Sequence, residues 1–257
     1  MKVIILSAGQ GRRLLPLTEN LPKCALPVLG RSLLAWQLHE IAKCPVDEVV
    51  VVTGFGADRV DDILARDHGV PARALYNPFY AHSDNLGTCW VARSEMEGPF
   101  VVLNGDTLFE AGIMRRLLAR GTETPITLAT DVKSYYDPDD MKIISQDRRL
   151  LRVGKQLELD QVNGESIGMM IFRDEGIGRF RDKLDYLMRF GEGLNRWYLS
   201  AIDALAREWR VGICPIQGLS WCEIDNRSDL SRAEIVLGSW QKEGALADAG
   251  VLSGGAA

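Results

Sequence analysis

Short apolar runs alternate with amphipathic stretches through the first half of this 257-residue chain, and that rhythm restricts the fold more than any other feature. The spacing predicts strands at 3–6, 48–53, 72–76 and 100–103, and helices at 32–43, 58–66, 86–95 and 111–119. Strand and helix alternating at such intervals define an α/β class: one domain with a mixed, mostly parallel sheet flanked by helices on both faces. The strands at 48–53 and 100–103 are nearly continuous in Val, Leu and Phe, as expected when both faces are buried. After the helix at 111–119 the order changes. Apolar runs at 126–131, 141–145, 150–153 and 166–172, with turns at Asp137-Pro138-Asp139 and Asp147-Arg148-Arg149, predict a small antiparallel extension. Helices at 177–190 and 195–208, a strand pair at 211–215 and 221–224, and a helix at 228–240 follow. No repeat or Pro/Gly-rich linker splits the chain. A single domain over 1–242 is expected, with the small and polar stretch 243–257 as a disordered tail.

The first strand runs into Leu6-Ser7-Ala8-Gly9-Gln10-Gly11-Arg12-Arg13, where small residues let backbone N–H groups approach an anion. Pro22-Lys23 follows, and Pro27 stiffens the return toward the next helix. The loop thus gathers Arg12, Arg13 and Lys23 around exposed donors, the chemistry a triphosphate needs. Gly9-Gln10-Gly11 alone is equally compatible with an ordinary glycine turn. A dinucleotide-binding fingerprint wants a third glycine where Arg12-Arg13-Leu14 stands, and a P-loop wants Gly-Lys-Ser/Thr, which occurs nowhere.

Composition narrows the partners. The net charge of −5 provides no basic field for nucleic acid or an anionic membrane, so a polyphosphate must be held by local cations. Five cysteines at 24, 44, 89, 214 and 222 form no CxxC pair, and no leader or membrane-length apolar run is evident, so a cytoplasmic protein with reduced thiols is expected. The three histidines lack zinc-site spacing.

Carboxylates appear at two strand ends. Asn104-Gly105-Asp106 follows the buried run at 100–103, and Trp221-Cys222-Glu223-Ile224-Asp225 precedes the last helix. Asp106 alone could cap a turn and Asp225 alone could cap that helix. As a pair beside the Gly-Arg-Lys loop they suit Mg²⁺, which takes one or two protein carboxylates and completes its shell with phosphate oxygens and water.

The whole string, glycines, arginine, Pro-Leu-Thr and Pro22-Lys23 in order, resembles the N-terminal signature of the sugar-nucleotidyltransferase superfamily. The Gly105-Asp106 and Glu223-Ile224-Asp225 segments match that superfamily's two metal-binding contexts. The resemblance implies a Rossmann-like (GT-A-like) domain and nucleotidyl transfer with Mg²⁺ on Asp106 and Asp225. It further implies that Leu6, Ala8, Gly9, Gly11, Arg12, Asn85, Gly87 and Asn104 contact the nucleotide, Arg13 holds the leaving phosphates, Lys23 reaches the α-phosphate and Lys155 steers the attacking phosphate. The segments Tyr76-Asn77-Pro78-Phe79-Tyr80 through Thr88, Val153-Gly154-Lys155 and Gly164-Glu165-Ser166-Ile167-Gly168 are most similar to the phosphocholine cytidylyltransferase-like branch. That branch implies CTP and a small phosphorylated alcohol or phosphonate, the acceptor bound by Glu165 and by aromatic faces among Tyr135, Tyr136, Trp197, Tyr198 and Trp221. A quaternary ammonium would need such faces, because it has no hydrogen to donate. An aminoalkyl group would favour acids, with Glu165 and Asp84 available. Lys155 could equally be a solvated turn lysine, and Gly87-Thr88 only partly echoes the hexose enzymes. A uridylyl- or thymidylyltransferase acting on a sugar 1-phosphate, a non-catalytic nucleotide-binding regulator, and a homo-oligomeric state are left open.

Overall fold

The computed structural model describes residues 1–120, 123–191 and 193–253, without the side chains of 241–253. In chain order the first half carries β1 (Lys2–Leu6), a hairpin of β2 (Pro27–Val28) and β3 (Arg31–Ser32), α1 (Leu33–Ile41), β4 (Glu48–Thr53), α2 (Ala57–Leu64), β5 (Ala72–Tyr76) and α3 (Asn85–Val91). Then come β6 (Phe100–Asn104), β7 (Thr107–Phe109), α4 (Ala111–Arg120), β8 (Ile126–Asp131), β9 (Lys142–Gln146), β10 (Arg149–Gly154) and β11 (Gly164–Phe172). The chain closes with α5 (Asp174–Phe190), α6 (Leu199–Glu208), β12 (Val211–Pro215), β13 (Trp221–Glu223) and α7 (Arg227–Ser253).

Among the described residues nine strands form one sheet in the order β5-β4-β1-β6-β11-β8-β12-β10-β9. β1 lies parallel to β4 and β6, β5 parallel to β4 and β12 parallel to β8, while β11 runs antiparallel between β6 and β8. The mixed sheet is therefore as expected, with its parallel part in β5-β4-β1-β6 and antiparallel pairing also at β12-β10-β9. Alternation along β1 sends Val3 and Ile5 to one face and Ile4 and Leu6 to the other. The first face is covered by Leu34 and Leu38 of α1, Val60 of α2 and Ile113 and Leu117 of α4, at the helical spacings that place side chains on one stripe. The second is covered by Leu86 of α3, Phe180 and Leu184 of α5 and Ile202 and Leu205 of α6. Leu38 is fully buried, and its truncation to Ala would cost about 2–5 kcal/mol. Ser32 Oγ starts α1 by accepting from the Ala35 N–H at 3.1 Å.

Three expectations change. Of the strands assigned to an antiparallel extension, β8 and β11 are central, and β11 is buried at every residue; only the β9–β10 hairpin extends the sheet at its edge. The segments at 211–215 and 221–224 do not pair with each other. β12 joins β8, and β13 pairs antiparallel with β7, because the turn at Pro215–Leu219 carries the chain off the main sheet. Helix 195–208 begins at Leu199, and the α-helix at 86–95 ends at Val91 with a 3-10 turn beyond it. The bounds of α7 take in part of the segment read as a tail, whose residues 254–257 lie outside the described ones.

Candidate active site

The parallel strands β1, β4 and β6 end on one edge of the sheet, where open α/β sheets hold their ligands. A cleft of about 340 Å³ on that edge is lined by Leu6, Ala8, Gly9, Gly11, Arg12, Arg13, Lys23, Asn85, Asn104, Asp106, Trp197 and Asp225. Gly11 has φ +77°, and a Cβ there would lie 2.8 Å from Lys23 Cβ, so this glycine lets the Lys23 stem cross the loop. A Cβ on Gly9 would meet nothing within 4 Å, which leaves its backbone open to a ligand. Thr18 Oγ1 donates to the Gly11 carbonyl at 2.9 Å and Gln10 Nε2 donates to the Thr18 carbonyl at 3.1 Å, so the Pro-Leu-Thr segment fixes the loop from behind.

The cations and carboxylates meet across that cleft. Lys23 Nζ lies 2.8 Å from Asp106 Oδ2 and 2.7 Å from Asp225 Oδ1, and Arg13 lies 3.1 Å from Asp225 Oδ2. Burial acts to lower the Lys23 pKa, but the charges of Asp106 and Asp225 outweigh it and the net direction is upward, so the ammonium stays charged. Pairing of β7 with β13 joins the two carboxylate segments: Thr107 is opposite Glu223, and the Ile224 N–H donates to the Asp106 carbonyl at 3.1 Å. The capping alternative fails for Asp225. Asn226 Oδ1 accepts from the N–H groups of Ser228 and Asp229, and Asp229 Oδ2 accepts from those of Asp225 and Asn226, so the Asp225 carboxylate is free to face the cleft.

Glu223 is a third acid that the sequence reading passed over. One oxygen each from Asp106, Glu223 and Asp225 lies within 4.8 Å of the others. Desolvation of the Glu223 carboxyl, then the charges of Asp106 and Asp225, raise its pKa, although the residue opens to solvent. Asp106 Oδ1 is buried with no hydrogen-bond partner among the described residues. An orphaned carboxylate oxygen beside two further carboxylates is a donor set that fits a hard divalent cation.

The residues expected on the acceptor side divide between two adjoining pockets. Lys155 Nζ sits 4.4 Å from the centroid of the Trp197 ring and 3.1 Å from Asp139 Oδ1, in a pocket of about 140 Å³ that also reaches Asp106 and Asp225. Asp139 Oδ2 is in turn 3.3 Å from Arg13, so one exposed carboxylate spans two cations. Glu165 and Trp221 line an adjoining cavity of about 450 Å³ rich in acids, among them Asp131, Asp137, Asp139 and Asp140. Glu165 is 3% exposed and lies 2.9 Å from Lys133, which also pairs with Asp140 at 2.9 Å. Burial pushes the Glu165 carboxyl up to about 7 despite that ammonium. Trp221 Nε1 donates to Asp131 Oδ2 at 2.7 Å, and Tyr136 is half-buried beside Lys133 and Glu165.

Two candidates are not where the sequence put them. Tyr198 offers no face to an acceptor, because it is fully buried; its hydroxyl donates to Asn104 Oδ1 at 3.2 Å and its N–H donates to Asn85 Oδ1 at 2.8 Å. It ties together two cleft asparagines. Gly87 is buried behind the cleft, and a Cβ there would lie 2.7 Å from Ser83 Cβ, so its smallness serves packing of α3 on the preceding loop. Lys133, Asp139 and Tyr198 in its tying role were missed, since partners such as Arg13, Glu165, Asn85 and Asn104 lie far away along the chain.

A sheet with a phosphate-type glycine loop, paired cations and a carboxylate cluster at the carboxyl ends of its parallel strands defines a nucleotide-handling α/β protein. Residues 3–167 match the MobA-like NTP transferase domain, and the chain belongs to that family of nucleotidyltransferases. It is 25% identical over 243 residues to the choline-phosphate cytidylyltransferase of Streptococcus pneumoniae, covering 92% of this chain and 98% of that one. It is 26% identical over 246 residues to the CMP-5'-(3-aminopropyl)phosphonate synthase of Streptomyces rubellomurinus, covering 91% of this chain and 38% of that one. The chain spans half or less of the length of several of the curated relatives it matches, 50% of one and 38% of another among them. Its fold is shared with an inositol-1-phosphate CTP transferase from T. maritima, with TM-score 0.78, 21% identity and 92% and 94% of the two chains covered. No helix among the described residues is long and apolar enough to cross a membrane.

Proposed function

We propose that residues 1–242 transfer a cytidylyl group from CTP to a small phosphorylated alcohol or phosphonate carrying a cationic end, releasing pyrophosphate, in the cytoplasm. The observation that carries this reading is Lys23 held between Asp106 and Asp225 at the mouth of the glycine loop. An acceptor phosphate oxygen attacks the α-phosphorus in line, the bond from that phosphorus to the bridging oxygen of the β-phosphate breaks, and pyrophosphate leaves with the electron pair. No protein nucleophile is needed, so positioning and charge neutralisation are the protein's task. Gly9 and Gly11 allow close approach of the phosphates, Arg13 and Arg12 hold the leaving β- and γ-groups, and Lys23 turns to the α-phosphate. Asp106 and Asp225, with Glu223 beside them, would hold Mg²⁺, which when bound neutralises phosphate charge at the reacting centre. Lys155 orients the incoming phosphate above Trp197.

The acid-rich cavity of Glu165 and Asp131 supports an acceptor with a hydrogen-bonding ammonium over one requiring an aromatic cage, since Trp197 and Trp221 face different cavities. The resemblance to cytidylyltransferases supports CTP. The test is pyrophosphate release with Mg²⁺, each nucleoside triphosphate, and a panel of phosphocholine, aminoalkyl phosphonates, inositol phosphate and hexose 1-phosphates. Release requiring CTP and an ammonium-bearing acceptor is expected. Release with UTP or dTTP and a hexose 1-phosphate would overturn the acceptor and base, and silence with every pair would overturn the transferase reading.

A further inference from the structure

Lys23 and a divalent cation need the same oxygens. Its ammonium lies 2.8 Å from Asp106 Oδ2 and 2.7 Å from Asp225 Oδ1, deep in the cleft with a side chain 13% exposed. The remaining Asp225 oxygen faces Arg13 at 3.1 Å, so both oxygens of that carboxylate are engaged by protein cations. Asp106 Oδ1 and Glu223 add donors outside these pairs. Mg²⁺ binds carboxylate oxygens at about 2.0–2.1 Å, and a cation drawn to that distance from the two paired oxygens would stand against the ammonium, two positive charges in contact.

We infer that Lys23 is an internal competitor for the metal: it must leave Asp106 and Asp225 before they can ligate a divalent cation, and the polyphosphate of the nucleotide is what draws it away. This deepens the proposed transferase reading and rests on its metal-binding part. A polyphosphate can take Lys23 and Arg13 together, freeing Asp106 Oδ2 and both oxygens of Asp225 in one step. Coupling of this kind is reciprocal: whatever nucleotide contributes to metal affinity, metal contributes to nucleotide affinity. The carboxylates therefore hold metal weakly on their own and strongly with nucleotide, and Lys23 sets that order as well as serving the α-phosphate. A lysine whose sole role is to contact phosphate would leave metal binding in the absence of nucleotide unchanged.

Mn²⁺ binding to the full chain without nucleotide, followed by the electron paramagnetic resonance of free Mn²⁺, separates these roles. Lys23→Met is expected to bind Mn²⁺ at least about tenfold more tightly than wild type, whereas Lys155→Met, which removes a charge from the same cleft without touching the acids, should change it less than about threefold. Equal affinity for wild type and Lys23→Met, or an equal gain in Lys155→Met, overturns the competition while leaving the transferase reading standing. Binding by neither protein at millimolar Mn²⁺ overturns the competition together with the metal part of that reading. Because Lys23→Met leaves buried carboxylates unpaired, a second measurement uses wild type alone: saturating Mg²⁺ should increase acylation of Lys23 by an amine-reactive ester, read by peptide mass spectrometry against Lys155. Unchanged or reduced labelling of Lys23 overturns the proposal.

Discussion

In the proposed reading the cleft has a nucleotide wall, built around Lys23, and an acceptor wall, built around Lys155 and Glu165, and the two hold their charges differently. On the nucleotide wall, Lys23 is inserted between Asp106, at the end of β6, and Asp225, which the β7–β13 pair brings beside it. On the acceptor wall, Lys155 follows the β9–β10 edge hairpin and Lys133 follows β8, and both meet acids of the 137–140 turn, Lys133 also reaching the buried Glu165; Asp139 is 68% exposed. Ion pairs of the first kind are desolvated and costly to break, whereas exposed pairs contribute little. The core of the sheet therefore carries the part suited to a fixed chemical step, and its edge carries the part that can change with the acceptor.

The largest effect should come from the nucleotide wall. Asp225→Ala is expected to lower turnover by about 10³-fold in a pyrophosphate-release assay. The variant should fold with a lowered melting temperature: the start of α7 is held by Asn226 and Asp229, and Lys23 keeps Asp106, but one desolvated ion pair is lost. Turnover near wild type would erase the distinction between the walls. Next comes Lys155→Ala, which removes one charge-assisted contact and should raise the acceptor KM or lower kcat/KM by about 10–100-fold, with the nucleotide KM unchanged. A nucleotide KM that rose in parallel would place Lys155 on the wrong wall.

The same contrast explains what the sequence could reveal. Arg12, Arg13 and Lys23 share one contiguous loop, and Asp106 and Asp225 sit at the ends of recognisable apolar runs, so pattern and spacing were enough to bring them together. Glu223 was equally visible but overlooked, although its i, i+2 relation to Asp225 brings both acids to one end of β13; a strand-period reading would have caught it. Asp139, Lys133 and Tyr198 carry no motif. Their roles depend on the order β6-β11-β8 and on α6 packing behind the cleft, and the placement of β11 as a central antiparallel strand could not be read from apolar runs that look alike in edge and central strands.

Smaller effects sharpen the picture of the acceptor wall. Glu165 has its pKa raised to about 7 by burial, facing Lys133 as partner and Asp140 and Asp131 as like charges. Between the ordinary carboxyl pKa of about 4.3 and that value the folded chain binds more protons than the unfolded one, so stability falls as pH rises through this window. The urea midpoint of wild type should therefore drop between about pH 5 and 7, and that of Glu165→Gln should be flatter. Parallel curves would mean that Lys133 keeps Glu165 ionised throughout.

Asp139→Asn should have the mildest consequence and tests the contrast between the walls most directly. Asp139 pairs with Arg13 and Lys155, one cation from each wall, and Lys155 first and Arg13 less strongly hold its carboxyl below the usual range. In the proposed reading an acceptor phosphate arriving at Lys155 displaces this carboxylate. Because the pair is exposed, its loss should make binding easier by no more than about 1 kcal/mol, a fall in acceptor KM of up to about fivefold with kcat little changed. The gain should shrink at high salt, where such a pair is already screened. A rise in KM would instead mean that Asp139 helps to bind the acceptor, by taking its cationic end or by holding Lys155 in place, and would make the edge of the sheet as necessary to the reaction as its centre.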